Sequence, residues 1–327
     1  MVFARDQCVT FNAVLLMETK DIDSYIDSYL GRFSTNQMIG IPLVIFFISL
    51  LILGWSVYAH GSPVELGVEF TGGTVLTVVS ESSYKTVQEE FTSRFAETPP
   101  YSARDAGGGR VMLQFGPMNE AQQTQLNNYI SSTYGKDVAL KQMSAVYGEN
   151  LQRSAVKAVL YAFLGMAVIV FLIFKSPVPS AAVVLSAGSD IIIAATLMDL
   201  FGIALSLGTV AALLMLIGYS VDSDILLTTR LLKRRGDTDE KIRAAMKTGL
   251  TMTLTTIAAV LVLFVVSTFA GLISSYSRID IISDISIVLI FGLITDLMNT
   301  WMLNTGILKW YLARGTADKK GKRGRKR

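Results

Sequence analysis

The sequence predicts a polytopic α-helical membrane protein: six transmembrane helices, with one extracytoplasmic α+β domain of ferredoxin-like βαββαβ order between the first and second. Three observations carry that prediction. Apolar residues make up 51% of the 327 and charged residues only 17%, against about 25% charge in an ordinary soluble domain. Mean hydropathy is +0.47. The apolar residues also gather into six stretches of the length a helix needs to cross hydrocarbon, about 20 residues at 1.5 Å rise each, interrupted by one long polar interval.

In chain order, residues 1–37 are a cytoplasmic N-terminal arm. Residues 1–16 carry no structural pattern, and Met17 is an alternative start. The first span, 38–59, is no cleaved signal peptide: it begins too far in, follows an acidic arm, and no small-residue cleavage pattern succeeds "LLILGWSVYAHGSPVE".

Residues 60–150 are too many for a connection and too polar for lipid, so they are expected to fold as a domain. "VELGVEFTGGTVLTVVS" alternates into a strand, and "SYKTVQEEFTSRFAE" has helical period with Ser82 or Ser83 as its cap. "YSARDAGGGRVMLQFG" reads as two strands about a glycine turn, "NEAQQTQLNNYISSTYG" as a polar-faced helix, and "KDVALKQMSAVYG" as a closing strand. That order is βαββαβ. The chain's one cysteine is Cys8, so no internal disulfide staples the domain. His60 at the membrane boundary has no second His or nearby Cys with which to bind zinc, and no metal is expected.

Spans two to six fall near 154–174, 178–200, 203–229, 249–271 and 282–310, within a five-helix bundle over 151–310. Cations orient it. The loop 230–248 holds Arg230, Lys233, Arg234, Arg235, Lys241, Arg243 and Lys247, and the tail 311–327 is denser still. The positive-inside rule puts both, and Lys175 in the "KSPVPS" turn, on the cytoplasmic side. Both termini are then cytoplasmic, with "DLFGIAL", "SSYSRIDI" and residues 60–150 outside. Glu18, Asp21, Asp23 and Asp27 outnumber Arg32 in the arm, but acids weigh little in the rule. The tail is read as a solvated topological anchor, with contact to lipid, ribosome or translocon as the alternative.

Carboxylates inside such spans stand out, since each costs about 2.5–3.5 kcal/mol at a helix centre. Asp190 lies near the middle of span three and Asp296 near the middle of span six. Asp222 lies roughly 27 Å along span four, towards its cytoplasmic end. Asp222 and Asp224 point about 200° apart, so they cannot both serve one site. On depth, Asp222 and Asp190 are read as functional and Asp224 as a boundary charge paired with Arg230 or its neighbours. Both readings stand for Asp296. Spans three and six contain no Lys or Arg in their cores, and a carboxyl that alternates between neutral and charged forms is what ion coupling requires. Thr248, Thr251, Thr253, Thr255 and Thr256 are expected to bond back to their own helix, with a hydrated seam along Thr248 and Thr251 as the alternative.

Three stretches together resemble the SecF family, the smaller subunits of the SecDF protein-export accessory complex in the resistance-nodulation-division superfamily: "GVEFTGGT" at 67–74, "VYGENLQRSAVKAV" at 146–159 and "IGYSVDSDILLTTRLLKRR" at 217–235. The resemblance runs from about residue 34 onwards, and "DSD" in span four is closest to the archaeal form. It implies half of a pseudo-symmetric bundle completed by SecD, beside a SecYE-type translocon, with preprotein and membrane lipids as the other partners and no nucleic acid. It implies no cofactor, with proton flow through the membrane part as the drive and a sodium gradient as the alternative. Gly72 and Gly73 match the family's first motif and are read as a close backbone turn, and Gly218 and Tyr219 as part of the span-four motif. No GK pair or helix start follows the glycines, so no nucleotide site is expected.

The match departs at two points. Bacterial members read Gly-Tyr-Ser-Ile-Asn-Asp in span four, which aligns their acid with Ser223; they also carry an arginine where this chain has Thr248 beside Lys247. Either Asp222 replaces that acid, with Arg230 and Lys247 as charge partners, or coupling resides mainly in SecD. A small-molecule or lipid exporter of the same superfamily is the alternative function. An intramembrane aspartyl protease is set aside because residues 218–222 read Gly-Tyr-Ser-Val-Asp rather than Gly-x-Gly-Asp, and no enzymatic activity is expected.

Overall fold

A computed structural model of the chain describes residues 26, 28, 29, 31–80, 82–107, 109–135, 138–233, 236–273 and 280–324. The start at Met17, Cys8, the four acids of the arm, Arg234, Arg235 and residues 274–279 of "SSYSRIDI" lie outside the described residues, as do the side chains of His60 and of the tail from 315 on.

Six helices among the described residues are long and apolar enough to cross a membrane. The first, α1 (Thr35–His60), starts at a reciprocal cap in which Ser34 Oγ accepts from the Gln37 amide at 3.4 Å and the Ser34 amide donates to Gln37 Oε1 at 3.0 Å. It ends at Gly61, whose φ of 79° is the left-handed value glycine supplies at a helix terminus.

The next residues differ from expectation. The strand read over 64–80 is split: Val68–Thr71 form a one-turn helix, α2, and the strand β1 is Gly73–Val79. Glycine crowding explains the break. At Gly73, φ is 131° and a Cβ would lie 2.3 Å from the Phe115 carbonyl oxygen, so only glycine lets β1 start there. After α3 (Tyr84–Arg94) come β2 (Pro100–Gly107), β3 (Arg110–Phe115), α4 (Glu120–Thr133) and β4 (Val138–Met143). Ser83 holds the cap position of α3 without a side-chain bond, whereas Asn119 and Gln122 cap α4 reciprocally at 2.9 and 3.0 Å.

The sheet order is β2-β3-β1-β4, antiparallel throughout, as a βαββαβ chain requires when each helix crosses over one strand. Alternate residues of β1 and β3 (Leu76, Val78, Val111, Leu113, Phe115) turn to the helices and close on Val87, Phe91, Leu126 and Ile130. Phe91 is the hub, with the rings of Phe95, Phe115, Tyr129 and Tyr134 within 6.0 Å. Burial, then the nearby Glu90 carboxylate, pushes the Tyr134 phenol up to about 12.

The opposite sheet face, with Val75, Thr77, Met112, Gln114 and Lys141, overhangs a groove of about 390 Å³ whose floor is Ala204 and Ser206. Beside it the domain is pinned to the bundle. The Gly67 amide donates to the Leu205 carbonyl at 2.8 Å and the Leu205 amide to the Glu65 carbonyl at 2.7 Å, a short parallel bridge between Leu66 and Leu205. Gly67 permits it: a Cβ there would sit 2.9 Å from Leu205 O. Glu69, almost wholly buried, pairs with Lys141 Nζ at 2.7 Å and ties α2 to β4.

The second span is longer than expected. α5 (Ala145–Phe174) begins directly after β4, so the closing strand runs into the membrane helix with only Ser144 between them. It ends at Lys175 (φ 52°), and Pro177 opens α6 (Pro177–Leu200), confirming a tight turn at "KSPVPS". α7 is Leu207–Lys233, begun by reciprocal bonds between Ser206 and Thr209 at 2.7 and 3.2 Å. α8 (Thr238–Ile273) follows, then α9 (Asp280–Met298), a π-helical segment (Asn299–Asn304) and α10 (Thr305–Gly324). The third, fourth and sixth spans are the most enclosed, and the other three expose residues such as Leu51, Leu172 and Val262 as lipid contact demands.

Candidate functional site

Where the three enclosed spans meet, Asp190, Asp224 and Asp296 are buried to 0, 0 and 1% exposure. Small residues bring the helices close enough. A Cβ on Gly292 would lie 2.4 Å from Leu216, so α9 and α7 touch at that level. One turn further along each helix stand Asp296 and Ser220. On α7 the buried face runs through Leu216, Ser220, Ser223, Asp224 and Leu227, the three- and four-residue spacing of one helical side.

The sixth span bends its geometry at the same level. Over Asn299–Asn304 it widens to a π-helix, with Thr305 Oγ1 donating to Thr300 O at 2.9 Å, a departure that recurs at functional sites. The wider turn presents Asn299, Thr300 and Asn304 to the acids together.

The resulting network is dense. Asp190 accepts from Ser220 Oγ at 2.5 Å and from Asn299 Nδ2 at 2.7 Å. Asp296 accepts from Ser223 Oγ at 3.0 and 3.2 Å, and Thr300 Oγ1 lies 3.1 Å from its Oδ1. Asp224 Oδ1 takes Asn304 Nδ2 at 2.7 Å, Thr300 Oγ1 at 3.0 Å and Ser186 Oγ at 3.4 Å. Asp224 Oδ2, Asn299 Oδ1 and Asn304 Oδ1 are buried without a hydrogen-bond partner among the described residues. Among the described residues, hydroxyls and amides rather than cations therefore surround the three carboxyls. Among the described residues no group of three or more His, Cys, Asp or Glu is placed to hold a metal ion.

This placement reverses the reading of span four. Asp224, expected at the boundary beside a cation, is wholly enclosed; Asp222, expected to look inward, is exposed. Depth alone ranked them, whereas the rotation of α7 decides which side meets α6 and α9. Asp222 instead lines an open groove of about 610 Å³ with Thr229, Arg230, Lys233 and Met252. Arg230 is on that side too, donating to the Ala244 carbonyl of α8 rather than reaching Asp224. Lys247 lies on α8, partly buried. Thr248 and Thr251 bond back to the carbonyls of Ala244 and Lys247 at 3.2 and 2.9 Å, and Thr255 and Thr256 do likewise, whereas Thr253, expected to do the same, is buried with its hydroxyl unpartnered among the described residues. Gly218 is exposed, and Tyr219 is partly buried with its hydroxyl unpartnered among the described residues. Ser186, Ser220, Ser223, Asn299, Thr300 and Asn304 escaped the sequence reading; two asparagines in an apolar span were the available signal.

Residues 123–314 match the family model "Protein export membrane protein SecD/SecF, C-terminal". A protein-export membrane protein SecF from Methanolacinia petrolearia is 46% identical over 88% of this chain and 97% of its own length. The SecF of Haloferax volcanii is 44% identical over 87% and 95%, and that of Pyrococcus furiosus 41% over 85% and 92%. Among solved structures, SecDF from Thermus, a translocon-associated membrane protein, shares the fold with a TM-score of 0.63 at 21% identity, over 83% of this chain and 38% of that one. The family model spans more than half of the sequence and the relatives nearly all of it: the chain belongs to the SecF family of multi-pass protein-export membrane proteins.

Proposed function

We propose that this accessory subunit of Sec export uses the buried carboxyl cluster to couple an ion gradient to preprotein movement, in a complex with SecD beside a SecYE-type translocon. One observation carries the reading: three spans each place a carboxyl at one enclosed level, bound by hydroxyls and amides that can both donate and accept hydrogen bonds. Acids at that depth are costly unless used. The sheet domain is outside and both termini inside, an orientation supported by the cations of the 230–248 loop and the tail. The open sheet face is the surface on which an emerging chain would act. An exporter of small molecules would need a second such domain to enclose its cargo, whereas a single sheet domain is present among the described residues. The test is gradient-driven preprotein release from vesicles holding this chain, SecD and translocon. Release should require the gradient and be lost with Asp296→Asn; release indifferent to both would reject the reading.

A further inference from the structure

Thr300 stands between two carboxyls. Its Oγ1 is 3.0 Å from Asp224 Oδ1 and 3.1 Å from Asp296 Oδ1, all three residues being at most 1% exposed. A hydroxyl owns one hydrogen and two lone pairs. It can donate to one of these oxygens only; the other contact is a hydrogen bond only if that carboxyl holds a proton and donates to Thr300. The two acids are therefore joined by a bridge with two equivalent settings. In one, Asp296 is protonated and donates to Thr300, which donates to Asp224; in the other the direction is reversed.

We propose that the Thr300 hydroxyl carries protons between Asp296 and Asp224. This rests on the ion-coupling reading above and adds the residue. In the step, the Asp296 O–H bond breaks as its proton joins Thr300 Oγ1, while the Thr300 O–H bond breaks as its proton joins Asp224 Oδ1. Asp296 ends as carboxylate, Asp224 as carboxylic acid, and Thr300 with one hydrogen as before. No heavy atom needs to move by more than the difference between the two contacts. Ser223 cannot substitute. Its hydroxyl contacts both oxygens of Asp296, the Ser220 carbonyl at 2.9 Å and Thr300 Oγ1 at 3.5 Å but not Asp224, so any path through it to Asp224 still runs through Thr300.

The test uses the full chain with its SecD partner in vesicles, reading proton entry with a pH-sensitive dye under an imposed pH gradient. Thr300→Val keeps the shape and loses the hydroxyl; proton entry should fall at least about 100-fold, the low end of what a positioned proton-transfer group contributes. Thr300→Ser restores the hydroxyl and should stay within about threefold of the parent, which a merely structural role of the side chain would not require. Should the valine chain fail to co-purify with SecD, Thr300→Ala, which only removes atoms, replaces it. Proton entry within about tenfold of the parent for the valine or alanine chain overturns the bridge, and so does a serine chain as slow as valine. Entry of sodium without protons in the parent overturns the bridge as well. Asp224→Asn and Asp296→Asn separate the two levels: if both keep gradient-driven release, ion coupling at the cluster fails; if both lose it while Thr300→Val does not, only the bridge fails.

Discussion

Neutralising Asp222 and Asp224 in turn gives the sharpest test of how span four is rotated. Asp224 Oδ1 accepts three donors, from Asn304, Thr300 and Ser186 at 2.7, 3.0 and 3.4 Å. In Asp224→Asn the amide oxygen can keep all three, and the new NH2 takes the place of Oδ2, which has no partner among the described residues. The structural cost is that of one unpaired buried donor, about 1–3 kcal/mol. The bundle should therefore still assemble. An amide, however, cannot take up and release a proton at neutral pH, so gradient-driven release should fall by about 100-fold or more. Asp222 is exposed on the groove side of the same helix, and Asp222→Asn should change stability by less than about 0.5 kcal/mol and release by no more than about twofold. Release rates from vesicles containing SecD and translocon, normalised to the amount of chain that co-purifies with SecD, measure both. An Asp222→Asn defect equal to or worse than that of Asp224→Asn would refute the inward placement of Asp224.

Three further outcomes concern close contacts. Gly73→Ala puts a Cβ 2.3 Å from the Phe115 oxygen at a φ of 131°, and should make the sheet domain of the full chain more sensitive to limited proteolysis, with a strain of about 1–3 kcal/mol. Phe91→Ala removes the ring on which four aromatic neighbours converge, and should destabilise the same domain by about 3–5 kcal/mol in that assay while the membrane bundle stays folded. Gly249→Ala drives a methyl to 2.3 Å from the Trp301 ring; overpacking of about 1–3 kcal/mol should lower the thermal midpoint in detergent, and an unchanged midpoint would mean that α8 is not seated against the π-helical segment.

The six spans and the βαββαβ order were legible because each depends on local composition: length of apolar run, period, and turn residues. The basic stretch read as a loop over 230–248 is instead mostly helix, the ends of α7 (to Lys233) and α8 (from Thr238) running into it. The angular facing of α7 was not. Asp222 and Asp224 are on opposite sides of any helix, but which side is inward is decided by neighbours distant in sequence, Ser186 on α6 and Asn304 in the sixth span. A usable trace did exist: Ser220 and Ser223 are small polar residues on the same face as Asp224, and that is the face other helices approach. Asn299 and Asn304 were hidden by their spacing. Five residues on an ideal α-helix place two side chains about 140° apart, and only the π-helical turn brings them to one side. The helix at Val68–Thr71 was missed for a similar reason, since its burial comes from α5: a Cβ on Gly148 would sit 2.7 Å from the Phe70 oxygen.

The bridge between Leu66 and Leu205 alters how the sheet domain can move. Two covalent connections, one from α1 and one into α5, would leave it a hinge axis through both. A third attachment, through the α6–α7 connection, restrains the swivel, as a third leg steadies a stool. To tilt, the domain must either break the two backbone bonds at Gly67 and Leu205, at about 0.5–1.5 kcal/mol each, or carry the α6–α7 connection with it. The second course drags on the two helices that hold Asp190 and Asp224, so displacement above the membrane and rearrangement within it share one lever.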